Sequence, residues 1–297
     1  MSGTQASQKI TPLDRSSQIV MLGTGTPRPD PNRSGSATAI VVNDTPYLVD
    51  FGPGVIRRVT AAYENGVKAL GYGGVNIKTV FLTHMHSDHT VGYPDLIFTP
   101  WVMGRAEPLE VYGPKGIAAM TEHIQKAWQV DIDGRVNGLS RKTPTGYKVN
   151  AHEIRPGVIW KDRHVTVTAF SVRHEEMTDS FGYRFETPDR VIVLSGDTAP
   201  TQALIDHSRD CSVLIHEVYS MESFRKVSPT WQEYRRRHHT SSVELAEIAK
   251  IVKPELLVLY HRSNAGGGEV EREDVVIEEI RQSYKGKVVA GHDLDIF

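Results

Sequence analysis

The sequence has little of three things: cysteine, long apolar runs and excess charge of either sign. Its 297 residues include one cysteine, Cys211, which excludes an intramolecular disulfide and a soft thiolate metal site. Any bound metal must therefore take its ligands from histidine and carboxylate side chains. The 34 lysines and arginines nearly balance the 36 aspartates and glutamates, and the formal net charge of −2 gives no reason to expect a nucleic-acid binder.

No apolar run in the sequence is long enough to cross a membrane, so we expect a soluble protein with no membrane partner. Residues 1–17 are polar and lack the apolar stretch of a signal peptide, which predicts a flexible N-terminal arm. The compartment stays open between the cytoplasm and, if a signal peptide has been removed, the periplasm. Residues 18–297 form one predicted domain, because no linker or low-complexity tract interrupts them.

Short apolar runs and helical segments follow each other along the whole chain. Residues 38–42 and 47–51 flank the turn sequence NDTP and predict a β-hairpin. In the second half, residues 165–172 alternate as a half-buried strand does, and residues 242–252 have helical spacing after a serine N-cap. Each half supplies several strands and then helices. This order predicts an α/β protein in which two sheets pack face to face with helices outside.

A doubly wound dinucleotide-binding fold is the alternative to the two-sheet architecture. The sequence GTGTP at residues 23–27 follows a strand, as the phosphate-binding turn of that fold does. It lacks the third glycine, and Pro27 and Pro29 stand where a helix would begin. We therefore interpret these glycines as serving a tight turn.

The sequence THMHSDHTVG begins where a buried strand ends, at residue 83. His84 and His86 are two apart, so in an extended segment their side chains point the same way and converge on one ion. Asp88 and His89 lie past a bend, where we expect a helix to begin near Thr90, and they can face a second ion. Imidazole and carboxylate ligands suit a divalent metal such as zinc.

Other polar residues stand at the ends of apolar strands in the second half of the chain. Each alone is as readily a hydrogen-bonded structural residue as a ligand. Together with the THMHSDH loop they predict a shared site, because α/β proteins assemble sites where strands end at one sheet edge. These residues are His174, Asp197, His216 and His261.

The motifs THMHSDH, VRH, SGDT, LIHE, HHTSS and LYH occur in this order from residue 83 to residue 261. In this order they resemble the metallo-β-lactamase-fold hydrolase superfamily, and most of all its ribonuclease Z-like, arylsulfatase and phosphodiesterase branch. The similarity covers nearly the whole chain from about residue 19. It implies an αββα sandwich, with two mixed β-sheets flanked by helices and a dinuclear metal site at one edge.

The resemblance also implies which residues hold the metals, two zinc ions with manganese or iron as alternatives. A water or hydroxide shared by the two ions is the implied nucleophile, which Asp88 also holds in line for attack. Such an arrangement acidifies the shared water and clamps the attacking and leaving oxygens. The implied ligands are His84, His86 and His174 for the first ion, Asp88, His89 and His261 for the second, and Asp197 bridging both.

Two further motifs resemble catalytic elements of the ribonuclease Z-like branch. By this resemblance Glu217 orients His239, and His239 stabilises charge on a phosphoryl oxygen or protonates the leaving group. His238 is the adjacent competitor, which we disfavour because His239 directly precedes the Thr-Ser pair. His216 is expected to play a supporting role. The basic run at residues 234–239 is equally consistent with a phosphate- or sulfate-binding segment and with a solvated helix face.

Asp50 lies in an apolar strand, where a carboxylate is costly to bury without a partner. The N–H group of a metal-binding imidazole is a suitable partner, so we predict that Asp50 supports a metal ligand. A salt bridge or a turn cap is the alternative role.

The sequence departs from tRNA-processing ribonuclease Z enzymes at one place. In those enzymes a long arm that grips tRNA is usually inserted in the sequence between the histidine of the VRH motif and the bridging aspartate. Here His174 and Asp197 are only 23 positions apart, which leaves room for one hairpin. Residues 116–157 are predicted to form a cap beside the active site rather than an RNA clamp. A nucleic-acid substrate is disfavoured but stays open.

The favoured function is therefore a dinuclear zinc hydrolase of small phosphodiesters, phosphotriesters or sulfate esters. The alternatives are a tRNA 3′-endonuclease of the ribonuclease Z type and a lactonase or β-lactamase. Ring opening does not need the additional acid His239, which disfavours a lactonase or β-lactamase. A non-catalytic or redox protein on this fold is disfavoured because all ligand types are hydrolytic. The resemblance also suggests a homodimer.

Overall fold

Residues 16–262 and 272–297 are described by the structure, a computed structural model. Nearly all of the predicted N-terminal arm, residues 1–15, lies outside the described residues, and the first strand begins at Ser17. The described chain forms four layers in the order helices, sheet, sheet, helices. This is the αββα arrangement expected from the sequence.

The first sheet contains six strands in chain order. They are β1 (Ser17–Gly23), β2 (Ala37–Val42), β3 (Thr45–Val49), β4 (Thr79–Phe81), β5 (Leu109–Gly113) and β6 (Val149–Glu153). Strands β1 to β3 pair antiparallel and β3 to β6 pair parallel, so the sheet is mixed. The predicted hairpin is β2–β3. Its turn residues Asn43 and Asp44 both have positive φ (45° and 63°), as the tight turns of β-hairpins require.

The second sheet contains seven strands in reverse chain order. They are β7 (Gly157–Lys161), β8 (Thr166–Ser171), β9 (Phe181–Glu186), β10 (Val191–Leu194), β11 (Val213–Val218), β12 (Leu256–Arg262) and β13 (Val288–Ala290). Strands β7 to β10 pair antiparallel and β10 to β13 pair parallel. Between His174 and Asp197 the chain forms only the hairpin β9–β10, as predicted.

Ten helices are present in the described ranges, besides short 3₁₀ turns at Lys68–Leu70 and Tyr72–Gly74. They are α1 (Val55–Glu64), α2 (Ser87–Thr90), α3 (Tyr93–Met103), α4 (Ile117–Ala127), α5 (Gln129–Asn137), α6 (Gln202–His207), α7 (Met221–Lys226), α8 (Pro229–His238), α9 (Ser242–Val252) and α10 (Glu273–Arg281). The predicted N-cap of α9 is confirmed, because Ser241 and Glu244 form a capping box. In the part of the chain that the structure describes, every helix is too short or too polar to cross a membrane.

Three apolar clusters hold the layers together. One lies between the first sheet and helices α1, α3 and α4, one between the two sheets, and one between the second sheet and helices α9 and α10. The middle cluster contains buried aromatic side chains from both sheets, including Phe81 and Tyr183, whose ring centroids are 5.6 Å apart. Because the middle cluster lies between two separate sheets, and the helices pack on the outer face of each sheet, the two-sheet interpretation is confirmed and the doubly wound alternative is wrong.

Candidate metal centre

The THMHSDH loop leaves β4 at the edge of the first sheet. Helix α2 begins at Ser87, three residues earlier than the start we expected near Thr90. Asp88 and His89 therefore lie in the first turn of a short helix rather than before it, and both are buried. His84, which precedes the helix, is buried as well. The loop thus turns His84, Asp88 and His89 into the protein, whereas His86 is half-buried.

Three imidazoles converge at one point of the centre. His86 Nδ1 lies 3.0 Å from His84 Nε2 and 3.0 Å from His174 Nε2. The outer nitrogens of two of these rings have other partners. His84 Nδ1 is 3.0 Å from Thr83 Oγ1, and His174 Nδ1 is 2.9 Å from the carbonyl oxygen of His238. Partners of this kind fix the tautomer that leaves a lone pair on the inner nitrogen.

A second group contains Asp88, His89 and His261. Asp88 Oδ2 is 3.0 Å from His261 Nε2 and 3.5 Å from His89 Nε2. On the far side of the His89 ring, Nδ1 is 2.8 Å from Asp50 Oδ2, so the contact predicted for Asp50 is confirmed. Asp50 also accepts hydrogen bonds from the backbone N–H (2.8 Å) and the hydroxyl of Thr83. The buried Asp50 carboxylate thereby holds the loop and one imidazole together.

Asp197 lies between the two groups. Its Oδ1 is 3.6 Å from His89 Nε2 and 3.4 Å from His261 Nδ1, and its carboxylate is also close to the His84 and His174 rings. The preceding residue, Gly196, has φ +62°. A Cβ there would lie 2.8 Å from a backbone oxygen and 3.2 Å from Thr83 Cβ. Glycine therefore permits the strand end that carries Asp197 to approach the THMHSDH loop.

His261 reaches the centre through an irregularity in the second sheet. Glu217 pairs with Tyr260 and Val218 with Arg262, so His261 is the extra residue of a β-bulge. Its φ is +40°, which is uncommon for a residue other than glycine. Bulges of this kind change the direction of a side chain at a sheet edge. Here the bulge directs the His261 ring toward Asp88 and Asp197.

The electrostatics differ between the two ligand groups. Burial lowers the pKa of His84, His86 and His174, to about 3 for His174.

In the second group, burial opposes the charged imidazolium of His89 and His261, but nearby carboxylates outweigh it and raise the pKa of both rings. Asp88, Asp50 and Asp197 raise the pKa of His89, and Asp197 and Asp88 raise that of His261. Burial opposes ionisation of Asp197, but His261 and His89 outweigh it and hold the pKa of the Asp197 carboxyl well below its usual range.

The residues fit divalent cations. Within the described residues, three buried polar atoms of the centre have no hydrogen-bond partner, although buried polar atoms are nearly always paired. These atoms are His89 Nε2, Asp197 Oδ1 and His261 Nδ1, and all are of the types that bind zinc. The predicted ligands thus lie together at one edge of the sandwich, drawn from both sheets.

Glu217 and His239 form a buried pair next to the centre. Glu217 Oε1 accepts hydrogen bonds from the backbone N–H groups of Thr198 (3.2 Å) and Thr240 (3.1 Å), and it lies 3.2 Å from His239 Nδ1. Burial, followed by the nearby charge of Asp197, raises the pKa of the Glu217 carboxyl well above its usual range. Burial lowers the pKa of His239 to about 4. The His239 ring lies within reach of Asp197.

His238 has a different environment from its neighbour. Its ring stacks on Tyr234 with centroids 4.0 Å apart, and its Nε2 lies 2.5 Å from Glu176 Oε2. Its backbone carbonyl, rather than its side chain, supports His174. The geometry therefore favours His239 as the residue that faces the centre.

The structure differs from two expectations, one for His216 and one for the basic run at residues 234–239. We placed His216 at the exit of its strand, but β11 continues to Val218 because Glu217 and Val218 still pair with β12. His216 Nδ1 lies 2.6 Å from the Glu217 carbonyl oxygen, and burial lowers the pKa of His216 to about 4. The basic run at residues 234–239 is not uniformly a solvated helix face. Arg235 is fully buried, whereas Arg236 and Arg237 form ion pairs with Glu233.

A cleft of ≈ 680 Å³ opens beside the centre. Ser87 and Asp88 line it together with Pro53 and most of residues 26–35. Ser87 thus belongs to the cleft wall, and Asp88 faces both the cleft and the second ligand group. Residues 116–157, which form α4, α5 and β6, do not line this cleft, and their role as a cap stays a prediction.

Replacing Asp50 by asparagine should weaken metal binding by about 10–100-fold, as loss of a carboxylate behind a ligating histidine typically does. The amide nitrogen would face His89 Nδ1 and favour the tautomer with a proton on Nε2, where the lone pair is needed. Asparagine tolerates the positive φ of residue 50 (61°), so the fold should persist. Competition with a chromogenic chelator measures the affinity.

The matched control is Asp189→Asn, because Asp189 also accepts hydrogen bonds from serine hydroxyls, those of Ser16 and Ser17, but lies outside the centre. Its metal affinity should equal that of the unchanged protein. Equal affinities for all three proteins would show that Asp50 does not support the ligand.

Comparison with known proteins places this fold and centre in a family. The sequence profile of the β-lactamase superfamily domain matches residues 45–262, which include every predicted ligand. The chain therefore belongs to the β-lactamase superfamily and has the metallo-β-lactamase fold. As a member with this histidine and aspartate cluster, it is a metal-dependent hydrolase that acts on ester bonds.

One curated relative and two solved structures illustrate what this chain is similar to. The chain is 31% identical over 281 residues to ribonuclease Z of Mycobacterium bovis (strain BCG / Pasteur 1173P2), covering 93% of this chain and 96% of that protein. The metallo-β-lactamase-fold protein YhfI from Bacillus subtilis superposes with a TM-score of 0.70 at 19% identity, over 95% and 98% of the two chains. Human tRNase Z, short form, superposes with a TM-score of 0.65 at 21% identity, over 94% of this chain and 98% of that one.

Proposed function

We propose that this protein is a dinuclear zinc phosphodiesterase that cleaves small phosphodiesters, with phosphotriesters and sulfate esters as related substrates. The Glu217–His239 pair beside the predicted ligands carries the proposal. Cleavage of a phosphodiester generates an alkoxide or aryloxide that benefits from a proton donor separate from the metals. A buried histidine oriented by a buried glutamate is suited to that task.

The proposed ligands are those implied by the sequence, with Asp197 shared between the two groups. When bound, divalent cations in such a site acidify an attacking water and offset negative charge on a phosphoryl group. Asp88 faces both the second ligand group and the cleft, so its carboxylate is placed to accept a hydrogen bond from that water. Asp50 and the His238 carbonyl keep His89 and His174 in the orientation that ligation requires.

His239 is proposed to act as the proton donor or to stabilise charge on a phosphoryl oxygen. With Nδ1 directed at Glu217, its Nε2 is the nitrogen left for the substrate. Burial disfavours the imidazolium before the substrate arrives. An anionic phosphoryl group next to the ring favours the charged form and raises the pKa of His239. Protonation is thereby coupled to substrate binding.

A tRNA 3′-endonuclease is the second candidate, and the relatives favour it. The M. bovis ribonuclease Z is matched over 96% of its length, so this relative has little chain beyond the matched part. The tRNA-gripping arm is therefore not common to all proteins named ribonuclease Z. A lactonase or β-lactamase has less support, because ring opening leaves the proton donor without a task.

A panel of substrates distinguishes these candidates. Zinc- and manganese-loaded protein should hydrolyse bis(p-nitrophenyl) phosphate faster than a p-nitrophenyl phosphotriester, a p-nitrophenyl sulfate, a lactone or a β-lactam. Initial rates of chromophore release measure the first three, and loss of ring absorbance measures the others. A single cut of precursor tRNA at the 3′ end of the acceptor stem, at enzyme concentrations that leave the small esters intact, would instead establish the endonuclease.

A further inference from the structure

The principal wall of the cleft is a loop, residues 24–34, between β1 and β2. The backbone N–H of Gly25 donates to the carbonyl oxygen of Ser34 (2.7 Å), which brings the two ends of this 24–34 loop together. A Cβ on residue 25 would lie 2.6 Å from that oxygen, so glycine permits the approach. The loop contains three prolines (Pro27, Pro29 and Pro31), which limit the conformations it can adopt once its ends are fixed.

One carboxylate far away in the sequence joins the same two ends. Asp293 Oδ1 accepts hydrogen bonds from the backbone N–H and the hydroxyl of Thr24, both at 2.9 Å. Its Oδ2 accepts from the backbone N–H of Ser34 (2.7 Å) and lies 3.1 Å from Arg58 Nε. The side chain is only 5% exposed, so this carboxylate is largely desolvated and satisfied by the loop.

Arg58, on helix α1, adds a second connection to the loop. Its Nε also donates to the hydroxyl of Ser34 (2.9 Å), and its Nη2 contacts the carbonyl oxygen of Asn32 (3.4 Å). The charged pair of Arg58 and Asp293 therefore holds the Ser34 end from both the helix layer and the C-terminal segment. Hydrogen bonds to charged groups are stronger than those between neutral groups.

The C-terminal segment that carries Asp293 is itself anchored. Along β1, the backbone N–H of Ile19 donates to the carbonyl oxygen of Phe297 (2.9 Å), and the N–H of Phe297 donates back to Ile19 (2.9 Å). Met21 exchanges similar bonds with Leu294 (2.6 Å) and Asp295 (2.9 Å). Asp293 precedes this antiparallel pairing by one residue, which places its side chain at the start of the 24–34 loop.

We propose that Asp293 is a positioning residue for the substrate, because it holds the 24–34 loop in the shape that the cleft beside Asp88 requires. The proposal rests on the function proposed above. Among the described residues, the contacts of Asp293 are with Thr24, Ser34 and Arg58 rather than with the predicted ligands or the Glu217–His239 pair, so it acts through the 24–34 loop and the arginine that holds the same loop. The 24–34 loop then contributes binding energy to the bound substrate and to the transition state alike.

Such uniform binding appears in KM and not in kcat. In Asp293→Asn one oxygen becomes an NH₂ group, which would face an N–H donor at one of the two loop ends. In Asp293→Ala both ends lose their acceptor. With bis(p-nitrophenyl) phosphate, KM should rise by about 10-fold or more with kcat within about 2-fold, from the loss of charge-assisted hydrogen bonds.

Asp295→Ala is the matched control. Asp295 lies in the same segment, but among the described residues its carboxylate contacts only His292, which lies outside the 24–34 loop. Its KM should match that of the unchanged protein. A fall in kcat for the Asp293 variants, or an equal rise in KM for Asp295→Ala, would overturn the positioning role and indicate general loosening. Metal content should stay unchanged in all three variants.

Limited trypsin digestion tests the loop independently of any activity. The bond between Arg33 and Ser34 lies in the clamped end of the loop, where the Arg33 side chain contacts Thr24. Cleavage there, followed by mass spectrometry of the fragment that begins at Ser34, should be at least about 10-fold faster in Asp293→Ala, because local opening becomes easier. Unchanged cleavage would overturn the clamp. Faster cleavage in a protein that hydrolyses none of the esters would uphold the clamp and refute the proposed function.

Discussion

Replacing Asp197 by alanine should remove both the bound metal and the hydrolytic activity. Its carboxylate lies between the two ligand groups, close to His89 and His261 on one side and to His84 and His174 on the other. Without this carboxylate, no negative charge lies between the imidazoles to hold two cations close together. Turnover of bis(p-nitrophenyl) phosphate should fall by about 10³-fold or more, as a loss of several kcal/mol of metal-ion catalysis implies. Elemental analysis of the purified protein should show little or no bound metal.

The control for this change is Asp206→Ala. Asp206 is a half-exposed aspartate on α6 that contacts Gln202 and Arg209, and it is unrelated to the centre. Its metal content and turnover should equal those of the unchanged protein. Two metal ions and full turnover in Asp197→Ala would sink the assignment of Asp197 as the shared ligand.

Replacing His239 by alanine should lower turnover while the metal is retained. The ring is proposed to donate a proton or to stabilise charge, and general acid catalysis of this kind contributes about 10²–10⁴-fold. Because His239 is not among the proposed ligands, elemental analysis should give the same metal content as in the unchanged protein. The loss should be smaller for a substrate whose leaving group is p-nitrophenolate than for one with an alkyl alcohol, since a poor leaving group needs the proton more.

His238→Ala is the natural control, because the two histidines are adjacent and both are buried. The His238 side chain contacts Glu176 and stacks on Tyr234, whereas the support of His174 comes from a backbone carbonyl that alanine retains. We therefore expect near-normal turnover. Should His238→Ala lose turnover and His239→Ala keep it, the assignment of the two residues is reversed.

Local patterns in the sequence were sufficient for most of the fold. The capping signal before residue 242 and the alternating strand at residues 165–172 each depend on neighbours within a few positions, and both elements lie where expected. Helix α2 was placed too late, because one turn of helix leaves no periodic pattern to detect.

The same distinction holds for the site: features set by nearby residues could be predicted, and features set by distant residues could not. The predicted ligands lie together because each follows or ends an apolar strand, a signal visible in the sequence. The bulge that directs His261 was not predictable, since it arises from the pairing of β11 with β12. Asp293 gave no signal either, because its partners Thr24 and Ser34 are more than 250 positions away. Nothing within its own segment distinguishes it from Asp295.

The centre draws its donors from both sheets of the sandwich. The THMHSDH loop leaves the first sheet, whereas His174, Asp197 and His261 belong to the second. A cation shared by the two sets is a cross-link between the sheets that only the folded chain can make. By mass action, free metal at 100 times its dissociation constant stabilises such a protein by about 2.7 kcal/mol. The folding free energy of this chain is therefore a joint property of its sequence and of the metal supply around it.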